Sequence, residues 1–160
     1  MQAFEELLSC AKEHHVTIAA CESLTAGLFM ASLAAVPGAS SVLAGGFVTY
    51  TNEMKEKLAH VEAGILEEYG AVSAPCARSM AAHTREITGA DYAVSFTGNA
   101  GPGAMEDKPA GLVFSAIAGR QGCRDWKMQL DGLSRNEVRE TVAEWMARRL
   151  LAVMKEELNG

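Results

Sequence analysis

The last three strand-like runs of the chain, Asp91–Phe96, Leu112–Ala118 and Arg124–Leu130, follow one another with no helical pattern between them. Everything before them alternates helix with strand. Strands joined by short connections pair antiparallel, whereas strands separated by a helix can pair parallel. The order αβαβααα, then three strands, then a final helix, therefore predicts an α/β fold. The expectation is a single three-layer α/β/α domain over residues 1–160, with a mixed central sheet.

Helical periodicity supports this order. Ala3–His14 places Phe4, Leu7, Leu8 and Ala11 on one face. Leu24–Ala35 is apolar nearly all round, which predicts a buried helix ending before Pro37-Gly38. Asn52–Leu58 and Glu62–Tyr69 are short helices, the second ended by Gly70. Pro75–Thr88 is capped by Ser73 and ended by Gly89. Arg135–Leu158 is a long amphipathic helix with Val138, Val142, Trp145, Met146, Leu150 and Val153 facing inward. Val16–Ala20 and Ser41–Tyr50 read as strands. The Gly45-Gly46 pair in the second marks a bulge or a close backbone approach.

Bulk properties exclude several functions. A chain of 160 residues suits one domain with a real core. A formal net charge of −6, with no cluster of Lys and Arg, argues against nucleic-acid binding. The longest apolar-rich run, Ala26–Val36, is about half a membrane span, so no membrane association is expected. Met1–Lys12 mixes apolar and acidic residues, unlike a signal peptide. Cys10, Cys21, Cys76 and Cys123 show no CxxC spacing, so no metal site is expected. Free thiols and a cytoplasmic location are the corresponding expectation. Nothing implies a cofactor.

Five blocks carry candidate chemistry. Thr97-Gly98-Asn99-Ala100-Gly101-Pro102-Gly103, followed by Lys108-Pro109-Ala110-Gly111, is too glycine-rich to pack a core. Its backbone N–H groups suit a phosphate, or else it is a structural connection. It lacks GK[ST] and does not open a helix, so it is not a P-loop. Glu22-Ser23-Leu24-Thr25-Ala26-Gly27 stands at a strand-to-helix junction, where Ser23 either caps the helix or meets substrate oxygens. Ser40 follows the Pro37-Gly38 turn and would be nucleophilic only with a base. Lys55, just beyond Tyr50, would serve as that base if its pKa were lowered; otherwise it is a surface lysine. Arg135 opens the last helix and would clamp a phosphate bidentately or sit in solvent. His14, His15, His60 and His83 show no triad-like context.

Taken together, in order, these blocks resemble the C-terminal domain of the CinA family (competence/damage-inducible protein A). Its stand-alone members include nicotinamide mononucleotide amidohydrolases. The family pattern ESxTGG, GxS, GGxVxYxNxxK, GAVS, TGxAGPxG and KPxGxV stands here as Glu22–Gly27, Gly38–Ser40, Gly45–Lys55, Gly70–Ser73, Thr97–Gly103 and Lys108–Val113. The resemblance implies deamidation of nicotinamide mononucleotide by a metal-independent serine–lysine pair, in pyridine-nucleotide recycling. Carried over, it makes Ser40 the nucleophile and Lys55 its base. It lines the substrate site with Ser23, Tyr50, Thr97, Gly98 and Gly101, and places Arg135 at the phosphate. It also implies a homo-oligomer. Longer relatives carry an N-terminal domain associated with ADP-ribose pyrophosphatase activity, which this sequence does not contain. Ala26 stands where the pattern has glycine, Ala104 follows Gly103, and Asn99 takes a usually apolar position. These departures motivate an alternative: a nucleotide-binding or regulatory module with little turnover, linked to competence or DNA damage. A third reading places a cysteine nucleophile at Cys21, beside a helix N-terminus.

Overall fold

Five strands and six α-helices account for most of residues 1–159, which the computed structural model describes. The sheet order is β2-β1-β3-β4-β5. Strand β1 (Ile18–Glu22) is fully buried and runs parallel to both neighbours, β2 (Leu43–Val48) and β3 (Tyr92–Gly98). Strands β4 (Leu112–Gly119) and β5 (Gly122–Gln129) then pair antiparallel, so the sheet is mixed as its connections require.

One face of the sheet is covered by α1 (Gln2–Glu13), α2 (Leu28–Ala34) and α6 (Arg135–Leu158). Phe4, Phe29 and Phe96 join helix to helix to strand, with ring centroids 5.6 and 5.3 Å apart. The other face carries α3 (Asn52–Ala59), α4 (Ala63–Tyr69) and α5 (Ala74–Thr88). Helix α5 lies against β4 mainly through alanines, Ala77 and Ala81 meeting Ala116 and Ala118 beside Phe114, which permits close packing. Ser73 caps α5 by accepting the Cys76 N–H. Ser134 and Glu137 form a reciprocal capping box at the start of α6.

The Gly45-Gly46 pair does both things its sequence suggests. The β1–β2 register shifts between Ile18 and Ala19. A Cβ on Gly46 would stand 1.9 Å from the Ala20 carbonyl oxygen, so only glycine lets β2 close on β1 there.

The second helix differs from expectation. It begins at Leu28 rather than Leu24, and only Phe29 and Leu33 in it are buried. Residues 23–27 form a turn, because Ala26 and Gly27 both adopt left-handed backbone, at φ +47° and +97°. The fully buried Glu22 then caps α2, its two carboxylate oxygens accepting the N–H groups of Phe29 and Met30 at 2.9 and 3.0 Å. An exposed alanine in left-handed backbone is strained relative to glycine. Ala26→Gly is therefore expected to raise unfolding free energy by about 0.5–1 kcal/mol. A urea midpoint below that of the parent would contradict this.

Candidate active site

The carboxyl ends of the three parallel strands meet at one edge of the sheet, where open α/β sheets place their ligand crevices. Ser23 follows β1, Tyr50 follows β2, and Thr97-Gly98 ends β3. Strand alternation decides which way each side chain points. Ile18, Ala20 and Glu22 face α2 and α6, while Cys21 faces α3 and α5. Ser23, two residues on from Cys21, reaches the same side as α3, and Lys55 projects there from that helix.

Lys55 is the centre of the arrangement. Thr51 caps α3 by accepting the Met54 N–H, which fixes the first turn of the helix. Lys55 is 2% exposed, and its Nζ donates to Ser23 Oγ at 3.0 Å and to the Tyr50 carbonyl at 3.5 Å. Burial lowers its pKa below the ordinary lysine value, and the nearby Cys76, Cys21 and Glu106 oppose that shift only in part. A buried lysine with lowered proton affinity and a serine hydroxyl at hydrogen-bond distance are what a nucleophile–base pair requires.

The expected pairing of Lys55 with Ser40 does not form. Ser40 lies exposed in a short 3₁₀ turn, Ala39–Ser41, at the amino end of β2, whereas Lys55 follows the carboxyl end. A six-residue strand, about 20 Å long, separates the two ends. Ser23, not Ser40, is the serine hydrogen-bonded to Lys55. The sequence carried a signal for this: a strand-ending serine directly before a turn with glycine at Gly27.

Cys21 is also unsuited to attack. It is fully buried, its Sγ lies 3.4 Å from Thr49 Oγ1, and burial pushes its thiol pKa up. A raised pKa suppresses the thiolate that would be the nucleophile.

The turn holding Ser23 is fixed from three sides. The Ser23 N–H donates to the Phe96 carbonyl, and the Ala26 N–H closes the turn onto the Ser23 carbonyl. Arg139, on α6, donates from Nε to the Leu24 carbonyl at 2.8 Å and from Nη2 to the Thr25 carbonyl at 3.1 Å. Sequence reasoning did not single out Arg139, since one arginine in a long polar helix face carries no local signal. The N–H groups of Leu24 and Thr25 make no hydrogen bond among the described residues and stand directly after Ser23.

A small cavity of about 90 Å³ opens beside Ser23, lined by Leu24, Tyr50, Gly98, Asn99, Met105 and Arg135. Arg135 bridges its rim, donating from Nη1 to the Gly101 carbonyl and from Nη2 to the Tyr50 hydroxyl at 2.6 and 2.8 Å. Tyr50 is 53% exposed, so this pair faces solvent at the mouth of the cavity.

The glycine loop is more self-contained than a phosphate cradle. The Asn99 side chain donates to the Gly103 carbonyl and accepts the Gly101 N–H, and the Asn99 N–H is bonded to Leu112. Asn99 is thus a staple within the loop. Gly98 is required by packing: its Cβ would fall 2.7 Å from the Leu112 carbonyl oxygen. Thr97 is buried and donates its hydroxyl to the Ala71 carbonyl at 2.7 Å. Lys108 Nζ donates to the carbonyls of Tyr69 and Val72, and Glu106 accepts the N–H groups of Ala71 and Val72. The loop after Gly103 therefore clamps the turn that starts α5. No group of three or more His, Cys, Asp or Glu residues that could hold a metal occurs among the described residues. Among the described residues, no helix is long and apolar enough to cross a membrane.

Comparison with known proteins agrees with this fold. The family described as the CinA C-terminal domain matches residues 2–154. A protein of Streptococcus gordonii, named as competence-damage inducible, is 49% identical over 138 residues, covering 86% of this chain and 32% of the relative. The chain thus spans about a third of the length of such curated relatives. Among solved structures, a competence-damaged protein superfamily member from Klebsiella pneumoniae superposes with a TM-score of 0.93 at 26% identity, covering 97% of both chains. A competence/damage inducible protein from Agrobacterium tumefaciens does so at 0.88 with 33% identity, covering 96% of both.

Proposed function

The chain belongs to the CinA C-terminal domain family, and from that premise we propose that it is an amidohydrolase. In this reading it converts nicotinamide mononucleotide to nicotinic acid mononucleotide and ammonia, with Ser23 as nucleophile and Lys55 as its base. The observation that carries the reading is the buried Lys55 amine 3.0 Å from the Ser23 hydroxyl.

The steps follow from that contact. Neutral Lys55 takes the Ser23 hydroxyl proton as Oγ attacks the amide carbonyl carbon, giving a tetrahedral intermediate. The unpaired N–H groups of Leu24 and Thr25 are the donors nearest to its developing oxyanion. The Lys55 ammonium returns the proton to the departing nitrogen, the C–N bond breaks, and ammonia leaves an acyl ester on Ser23. Water, deprotonated by Lys55, then attacks the ester carbonyl, and Ser23 recovers its proton from Lys55 as acid is released. A nicotinamide ring and carboxamide occupy the small cavity, and the phosphate extends over its rim. There Arg135 and Tyr50 meet it, Arg135 exchanging its internal partners for phosphate oxygens. The non-reacting phosphate thereby positions the amide.

The direct test is ammonia release from nicotinamide mononucleotide by the unmodified chain, with nicotinic acid mononucleotide formed in equal amount. One observation favours a second reading, a nucleotide-binding module with little turnover: Arg135 is already bonded within the chain. Calorimetric binding of the mononucleotide without ammonia release would replace the hydrolase reading with that one. Absence of both would sink the two together.

A further inference from the structure

Away from Ser23 and Lys55, a larger hollow of about 410 Å³ opens at the β5 edge of the sheet. Arg78 from α5, Cys123 to Trp126 from β5, and Arg149, Val153 and Glu156 from α6 line it. Three guanidinium groups there face two carboxylates, in a chain whose net charge is −6. Both carboxylates are already engaged: Asp125 pairs with Arg78 at 2.8 Å and Glu156 with Arg124 at 3.3 Å.

Arg149 is the residue without a partner. Its guanidinium lies 4.5 Å from the Trp145 ring centroid and 5.5 Å from that of Trp126. The two rings meet edge to face, 6.3 Å apart, and hold it in place. Every other arginine of the chain makes a hydrogen bond to a carbonyl, a hydroxyl or a carboxylate; Arg149 makes none among the described residues. Stacking on an aromatic face leaves the in-plane N–H donors of a guanidinium free for a planar or tetrahedral oxyanion. A half-buried cation with open donors, in a hollow of ligand size and with apolar wall from Val153 and Ala152, matches what a small anion with an apolar body needs.

We propose that this hollow binds a small organic oxyanion with an apolar body, held through Arg149. It is separate from the proposed amidase cleft and independent of that reading. Trp126 and Trp145 are the only tryptophans of the chain, so intrinsic fluorescence reports on this locus alone.

The experiment titrates the full chain with phenyl phosphate, benzoate and uncharged phenol, following tryptophan fluorescence and, in parallel, heat by calorimetry. Saturable binding of either anion but not of phenol is expected, and the stronger anion identifies the head group. Arg149→Gln should weaken it about tenfold or more, since one charge-assisted contact is lost. Arg135→Gln, at the other cleft, should leave it unchanged. Absence of saturable anion binding, equal affinity in Arg149→Gln, or binding of phenol as tight as that of the anions would overturn the proposal.

Discussion

Replacing Ser23 with alanine is expected to reduce ammonia release from nicotinamide mononucleotide by about 10⁴-fold or more, as loss of an acyl-forming nucleophile does. Ser40→Ala should leave the rate essentially as it is in the parent. The contrast follows from position. Ser23 lies at the carboxyl end of the parallel strands with Lys55 on its oxygen, whereas Ser40 is exposed at the opposite end of β2. Both variants should remain folded, because Ser23 Oγ contributes one hydrogen bond and Ser40 none to the described chain. Their urea unfolding curves check this alongside the assay. Full activity in Ser23→Ala, or loss only in Ser40→Ala, would return the nucleophile to the 3₁₀ turn.

Lys55→Met is the second variant with a large expected effect, about 10²- to 10⁴-fold in kcat/KM, the usual contribution of a positioned base. Methionine keeps most of the buried volume and removes only the amine. Lys55→Arg should be as inactive, since a guanidinium does not give up its proton in this pH range. The parent's rate should rise with pH as Lys55 deprotonates, with its midpoint below the ordinary lysine value, because burial lowers that pKa. Stability moves in the same direction. The unfolded chain binds the lysine proton more tightly than the folded one, so unfolding free energy increases as pH rises from the folded pKa towards the unfolded one. Below the folded pKa the penalty is constant. In Lys55→Met that alkaline gain should disappear, which unfolding curves at several pH values would show. A pH–rate profile in the variant identical to the parent's would remove Lys55 from the chemistry.

The elements with strong local signals were legible in the sequence. Helix α6 runs over Arg135–Leu158 as its periodicity indicates, and α5 begins at the Ser73 cap and ends at Gly89. The antiparallel β3-β4-β5 meander follows from connections that carry no helical pattern. The start of α2 was not legible. Leu24–Ala35 is apolar throughout, and the break within it comes from left-handed Ala26 and from Glu22, whose capping bonds reach seven and eight residues ahead. The site divides in the same way. Tyr50 and Arg135 meet at the rim of the small cavity and Lys55 bonds Ser23 beside it, whereas the Thr97 hydroxyl is turned to the Ala71 carbonyl. Which serine joins Lys55 depends on the sheet order, because a strand's two ends are equally near in sequence and far apart in space. The roles of Asn99, Glu106 and Lys108 were hidden for a similar reason: their partners are backbone groups, which leave no mark on composition.

The burial of Lys55 has a consequence for the chain while it is being made. Ser23 and Lys55 both lie in the first 55 residues of the chain. Later sequence completes the surroundings of Lys55: α5 packs against α3, and β3 completes the pairing of β1. Until those segments dock, Lys55 is an ordinary solvated ammonium and Ser23 an ordinary alcohol. In the proposed amidase an unfolded chain would therefore carry no activated nucleophile to be acylated by chance.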